Sequence, residues 1–276
     1  MRLLKRGKVK DVYEVDEHTL LFHFTNRVSA FDVVLPSEVP FKGEVLCRMT
    51  GFWFKTLHYP NHMLELILPD KMLVKRLEMI PIEFIVRGYI YGGLYERMLK
   101  GETQIPIEPI LAAKLPEPML DLTTKFEAKD RPLTKEEVFS RGWLTSDEYN
   151  MLKDACIDIY QSMASRAEEK GFILADLKLE FGRTQDGKIL LADSIGPDEF
   201  RLWLKSKYSP GKRQESYDKQ PVRDWLENVG YRRALEEAVR LGKPIPPPPK
   251  LPEHIIAEVS RRYIEAFEKL TGEKFR

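Results

Sequence analysis

ADLKLEFGRTQDGKILLADSIGPDEFRLW, residues 175–203, carries the alternation that decides how the middle of the chain folds. Asp186-Gly187, with alternating apolar residues on both sides, reads as a two-residue hairpin turn. Pairing outward from that turn sets Phe181 against Ala192 and Glu180 directly against Asp193. Two like charges on adjacent strands repel each other, and a bound cation relieves the repulsion. Asp176 and Lys178 share a face with Glu180 because side chains alternate along a strand. Leu177, Leu179 and Phe181 take the other face, toward the core. The polar face suits Mg²⁺ with a nucleotide: the ion takes one or two carboxylates plus phosphate oxygens, and a lysine neutralises phosphate charge. The hairpin alone is equally compatible with a solvated face of ion pairs.

At 276 residues the chain exceeds the usual size of one domain, which bounds it at one or two and favours two packed lobes. Forty-four basic and 43 acidic residues leave a net charge of +1, so no global field favours nucleic acid or a membrane, and any anion site is local. Cys47 and Cys156 lie far apart in apolar helical patterns, as buried free thiols in a reducing compartment would. MRLLKRGKVKD at the N-terminus has no long apolar stretch, and no run of about 18 apolar residues occurs. A soluble cytoplasmic protein is the expectation, and a homo-oligomer is compatible with it.

Outward from the hairpin, the first hundred residues hold short β-like runs at 9–15, 19–24, 63–68, 71–77 and 82–88, an antiparallel sheet by pattern. Lys42 to His58 interrupts them with apolar residues at helical spacing, a helix to cover one sheet face. Thr145 and Glu148 form a capping box before a long apolar-periodic helix that ends at Gly171. After the hairpin the pattern predicts helices near 219–229 and 231–241. Six prolines between Pro244 and Pro252 make an extended connector, and an amphipathic helix follows it. The division expected is an antiparallel α+β nucleotide lobe over 1–80 and an α/β substrate and metal lobe over 81–276, with the nucleotide between them.

Four further stretches carry chemistry. GKVKDVY, residues 7–13, places Lys8 and Lys10 at the start of a strand. Lys10 shares a face with Val12, so the lysine can meet phosphate while the valine packs on a base; a basic edge strand is the plainer reading. IPIEFIVRGYIYGGLYE, residues 80–96, sets Arg87 after a strand and Gly92-Gly93 at a helix start, where an arginine and backbone amides can hold an anion. NRVSAFD, 26–32, and SYDKQPVRDWL, 216–226, are polar runs bounded by aromatics and are candidate loops over a cleft. Ser206 to Gln220, dense in lysine and arginine, is expected to be a lid that orders only over an anionic ligand. The five histidines have no metal-ligand spacing, and no nucleophile motif of a hydrolase is present.

In this order, GKVKDVY, NRVSAFD, IEFIVRGYIYGG, DLKLEFG, DSIGPDEFRLW and SYDKQPVRDWL closely resemble the phosphoribosylaminoimidazole-succinocarboxamide synthase (SAICAR synthetase) family. The resemblance runs to YIEAFEKLTG at 263–272. It implies a two-lobed α+β architecture akin to kinases and ATP-grasp enzymes. It also implies an ATP-dependent ligase joining L-aspartate to the carboxylate of carboxyaminoimidazole ribonucleotide (CAIR) in purine biosynthesis, with Mg²⁺ as cofactor. Carried over by position, Lys8, Lys10, Val12 and the Met79 backbone meet ATP. Lys178, Glu180 and Asp193 hold its phosphates and Mg²⁺ and are the catalytic set. Glu83, Arg87, Gly93, Asp176 and Arg201 form the ribonucleotide site, and Lys219 and Arg223 sit on a loop that closes over the reactants. Gly93 stands where relatives commonly carry serine, and TKFEAKDRPL, 124–133, is shorter than the usual form and leaves the aspartate contacts unassigned. The rivals are a small-molecule kinase of the same fold and a nucleotide-binding module without turnover.

Overall fold

Residues 1–103, 105–127 and 130–276 are described by the computed structural model of the chain. In chain order the first part holds strands β1 (Arg2–Arg6), β2 (Lys10–Glu14), β3 (Thr19–Phe24), β4 (Arg27–Ala30) and β5 (Val33–Glu38), helix α1 (Lys42–Thr56), and strands β6 (Met63–Ile67) and β7 (Lys71–Lys75). The middle holds β8 (Glu78–Met79), β9 (Ile82–Tyr89), α2 (Gly93–Leu99), β10 (Lys114–Thr124), α3 (Lys135–Ser140), α4 (Ser146–Glu169), β11 (Phe172–Arg183), β12 (Ile189–Ala192) and β13 (Phe200–Leu204). Helices α5 (Gln220–Asn228), α6 (Tyr231–Arg240) and α7 (Glu253–Thr271) close the chain.

The elements form two units. One comprises Met1–Leu77, Ser194–Asp198 and Tyr217–Arg276; the other comprises Glu78–Asp193 and Glu199–Ser216. This differs from the division expected at residue 80, because the C-terminal helices join the N-terminal sheet. The reason lies in α7, whose Val259, Tyr263, Ala266, Phe267 and Leu270 are buried along one stripe and need an apolar partner. Helix α1 supplies it: Arg48 lies 4.5 Å over the Phe267 ring, and Ser260 donates to the Pro40 carbonyl at 2.8 Å. The sheet of this unit runs β1-β2-β3-β7-β6, all antiparallel, with α1 packed on β3 and β6.

The second unit is built around β11, which pairs with β9, β12, β13 and β8. The run 82–88, read from the sequence as part of the first sheet, is therefore the neighbour of β11. Leu177, Leu179, Phe181, Phe84 and Val86 are buried on one face of this sheet, and Phe84 meets Phe181 edge-on at 5.2 Å. Each such side chain contributes about 1.5–3 kcal/mol of burial. Helix α4 covers them. Its capping box is present, with the Glu148 amide donating to Thr145 Oγ1 at 3.2 Å and the Thr145 amide to Glu148 Oε2 at 2.8 Å. Leu152, Cys156, Ile159 and Met163 form its buried stripe. Gly88 permits the closest approach: a Cβ there would stand 1.9 Å from the Tyr160 hydroxyl, which donates to the Leu174 carbonyl at 2.7 Å.

The hairpin after β11 corrects the sequence reading by one residue. Thr184 donates to the Lys188 carbonyl at 2.9 Å, and Gly187 has φ 82, so Gln185, Asp186 and Gly187 make a three-residue loop with its last member left-handed. Glu180 then faces Ala192, and Phe181 faces Leu191. Asp193 is the next residue along, and its φ of 63 takes it out of strand alternation. The two carboxylates remain neighbours but are not cross-strand partners.

Candidate active site

Register alone assembles the polar face of the second unit. Asp176 on β11 has Arg87 of β9 as its Cα partner on one side and Arg201 of β13 on the other. Residues directly opposite point to the same face, so two arginines flank one carboxylate. Arg87 Nη1 lies 3.7 Å from Asp176 Oδ2, and Arg201 Nη1 makes a close ion pair with the same oxygen. Two residues along β11, Lys178 donates to Glu83 Oε1 and to Glu180 Oε1, both at 2.8 Å. Thr123 of β10 donates to the other Glu83 oxygen at 3.0 Å. Arg87, Asp176 and Glu180 are 4%, 5% and 3% exposed, so these charges are held largely out of water and must be paired.

Burial alone would lower the Lys178 pKa, but the carboxylates of Glu83 and Glu199 outweigh it and raise the value, which keeps the ammonium charged. Lys125 forms a close ion pair with Glu180 Oε2, so both oxygens of that buried carboxylate face cations. Glu180 is thus a position built to hold positive charge. Together with Asp193 it offers the hard oxygen donors that Mg²⁺ prefers, and the ion would take the place of an ammonium group. Among the described residues no group of three or more His, Cys, Asp or Glu is placed to hold a metal, so a metal here would need phosphate oxygens to complete its shell. Met79 pairs with Gly182, while the next amide, Ile80, donates to Phe181 at 2.9 Å. In an antiparallel ladder this turns the Met79 N–H and C=O away from β11, where an adenine edge can meet them.

Gly93 opens α2 in this same unit, and the remaining sequence candidates lie in the first unit. Lys10 donates to Ser194 Oγ at 3.2 Å and sits 4.6 Å over the Phe22 ring, while Val12 is on the same face of β2. Lys8 is exposed and pairs with Asp32 at 2.6 Å. Lys219 lies 3.8 Å from Asp198, and Arg223 3.8 Å from Asp218. Asp198 is the buried hub here. Lys42, wholly buried, binds one of its oxygens at 2.8 Å and Tyr263 donates to the other at 2.7 Å. Burial acts to raise the Asp198 pKa, but the Lys219 and Lys42 ammonium groups prevail and hold it well below the carboxylate range. The segment 206–220 departs from the expected lid. Leu204 donates to the Glu215 carbonyl at 3.0 Å, and the Gln214 amide binds the carbonyls of Ser209 and Lys212, each at 2.6 Å. Ser216, Tyr217 and Asp218 are buried, so short polar side chains tie down a segment whose charges face outward.

Several residues of the site escaped the sequence reading. Asp121 of β10 accepts from Arg87 Nε at 2.7 Å and from Arg97 Nη2 at 2.6 Å on a single oxygen. Lys125, Asp198 and Glu199 were also missed. Asp121 shares a strand face with Thr123, and its place diagonal to Arg87 was readable only once β10 was known to pair with β9. The expected aspartate-side segment 124–133 includes residues 128 and 129, which lie outside the described residues.

Arg87 of β9 and Arg201 of β13 flank Asp176 of β11, and Lys178 and Glu180 share that sheet face, in an α+β chain of two units; such a row of charges is suited to small anionic reactants. Comparison with known proteins narrows this class. A family model described as SAICAR synthetase matches residues 3–238. A phosphoribosylaminoimidazole-succinocarboxamide synthase of Nitrosopumilus maritimus is 48% identical over 99% of this chain and 99% of its own. A Saccharomyces cerevisiae SAICAR synthase structure, described as complexed with SAICAR, matches with TM-score 0.83 and 32% identity over 99% of this chain and 95% of its own. A SAICAR synthetase structure described as a complex with ADP shares the fold at TM-score 0.74, with 24% identity over 99% of each chain. The chain belongs to the SAICAR synthetase family.

Proposed function

We propose that this protein is an ATP-dependent carbon–nitrogen ligase of purine biosynthesis that joins L-aspartate to the carboxylate of CAIR, giving SAICAR, ADP and phosphate. The observation that carries the reading is the row Arg201–Asp176–Arg87 in register with Lys178 and Glu180 on the same sheet face. Asp176 and Glu180 are four strand residues apart, roughly 13 Å. One end of a ribonucleotide can therefore be gripped by arginines while the other reaches the lysine–carboxylate end.

A carboxylate does not accept an amine at neutral pH because oxide is not a viable leaving group, and transfer of the ATP γ-phosphoryl group to one carboxylate oxygen removes that obstacle. The aspartate amine then adds at the carbonyl carbon, and phosphate leaves with the oxygen that came from the carboxylate. In this reading Arg87 and Arg201 bind the ribonucleotide phosphate, Asp176 orients both guanidinium groups, and Glu83 positions Lys178. Lys178 and Lys10 neutralise the group in transfer, a role of charge and position rather than covalent chemistry. Lys8, Val12 and the Met79 backbone contact ATP; Gly93, Lys219 and Arg223 contact the other substrates. Glu180 and Asp193 would hold Mg²⁺, which would supply further neutralisation of phosphate charge. Two unpaired buried cysteines support a cytoplasmic setting, and among the described residues no helix is long and apolar enough to cross a membrane.

The test is turnover with purified protein, Mg²⁺, ATP, CAIR and L-aspartate. The expected result is an amide product and ADP in equal amounts, with neither formed when aspartate or CAIR is omitted. ADP at the full rate without aspartate would make the protein a kinase, and ATP binding with no ADP would make it a binding module.

A further inference from the structure

Arg87 and Arg201 meet the ribonucleotide phosphate in the proposed function, yet the site holds a third arginine. Arg97 of α2 is joined to Arg87 through Asp121, whose Oδ2 accepts from both, and its Nε donates to Thr103 Oγ1 at 3.3 Å. Two fixed bonds on one edge leave the guanidinium little freedom. Its Nη1 has no hydrogen-bond partner among the described residues. That nitrogen lies over Gly93, 3.7 Å from where a Cβ would stand. On the adjacent residue, Arg201 Nη2 lies 2.6 Å from the place of a Gly92 Cβ, which only glycine leaves open, and Gly92 has φ 54. Consecutive Cα atoms are about 3.8 Å apart, so the Arg97 and Arg201 guanidinium groups flank one dipeptide.

Charge points the same way. Arg87 and Arg97 pair with Asp121, and Arg87 and Arg201 pair with Asp176, which gathers three guanidinium groups beside that dipeptide. A phosphate monoester carries between one and two negative charges at neutral pH. Arg97 adds a third guanidinium group to the two that the proposed function puts on that dianion.

We infer that Arg97 is a third phosphate-binding arginine, held toward the ribonucleotide by Asp121. The inference rests on the ligase reading of the site. Binding of the phosphate oxygens would use Arg97 Nη1 in addition to whatever Arg87 and Arg201 supply. Asp121 acts as a positioning residue because it sets the angle of two guanidinium groups at once.

Steady-state kinetics on Arg97→Gln, Arg97→Lys, Arg87→Ala and Arg201→Ala test this with each substrate varied in turn. Arg97→Gln should raise KM for the ribonucleotide about tenfold to a hundredfold, the scale of one charged hydrogen-bond partner. KM for ATP should stay unchanged and kcat should move much less. Arg97→Lys, which keeps the charge but not the fork, should fall between wild type and Arg97→Gln. Adding Gly93→Ser to Arg97→Gln should recover part of the loss, since a Cβ at Gly93 meets nothing closer than Arg97 and the hydroxyl offers the phosphate a new donor. If Arg87→Ala and Arg201→Ala raise the ribonucleotide KM while both Arg97 variants match wild type, Arg97 is not a phosphate ligand and the site reading stands. Equal losses for all substrates in Arg97→Gln would make the residue a scaffold. If none of the arginine variants alters the ribonucleotide KM, the phosphate lies elsewhere and the site reading falls together with this inference.

Discussion

Asp176→Asn tests the charged row at its centre. Asparagine keeps the size and one carbonyl acceptor but removes the charge that Arg87 and Arg201 share. Asp176 and Arg87 are almost wholly buried, so water cannot replace the lost partner freely. Removing one member of a buried ion pair costs about 3–5 kcal/mol because the remaining charge is left uncompensated. For a domain of this size each kcal/mol moves Tm by about 2–4 °C, so a fall of roughly 6–20 °C is expected. The fall is read by calorimetry or circular dichroism, since Trp203 shares its fluorescence with Trp53, Trp143 and Trp225. The same variant should be stabilised more than wild type by added inorganic phosphate, because an anion then supplies the missing negative charge. A Tm within 2 °C of wild type, with no extra response to phosphate, would refute the argument that this carboxylate balances two buried arginines.

Two other perturbations probe the frame behind the site. Gly88→Ala drives a Cβ into the Tyr160 hydroxyl, and the shift needed to relieve a 1.9 Å approach should cost about 1–3 kcal/mol by urea unfolding. Tyr160→Phe removes the closest atom, so the double variant should lose less than the two single losses added together; strict additivity would mean the two residues are not in contact. Glu148 is held down to about 2, chiefly by its bond to Arg183, so the stabilisation it provides is present above the ordinary glutamate value and is lost as pH falls toward the folded one. The stability gap between wild type and Glu148→Gln should therefore be full at pH 6 and shrink between about pH 4.3 and pH 2. A gap that widened on acidification would contradict the depressed carboxylate.

How far the sequence could be read depended on the range of the interactions involved. Local signals carried well: the capping box of Thr145 and Glu148, the apolar stripe of α4, the proline-bounded start of α7, and Gly92 before α2 all depend on residues within a turn or two. Lys178 and Glu180 on one strand face followed from alternation alone, and the structure joins them at 2.8 Å. The hairpin register missed by one residue because Asp-Gly serves two-residue and three-residue loops alike, and the choice is fixed by Thr184 closing onto Lys188. Asp121, Arg97 and Lys125 were invisible because β10 reaches β9 only after a long excursion through α2, so no local pattern ties them to Arg87 or Glu180. The division of the chain failed for the same reason: α1 ends at Thr56 and α7 begins only at Glu253, and only an unpartnered apolar stripe hinted that α7 needed a helix to pack on.

The central claim is that the CAIR carboxylate is phosphorylated before the aspartate amine attacks it. CAIR labelled with ¹⁸O in its carboxylate, turned over with unlabelled ATP and L-aspartate, tests this directly through the mass of the released phosphate. The account predicts one ¹⁸O in each phosphate, because the bridging oxygen of the acyl phosphate comes from the carboxylate and departs with phosphorus. Unlabelled phosphate formed alongside the amide product would show that this carboxylate was never phosphorylated and would contradict the account.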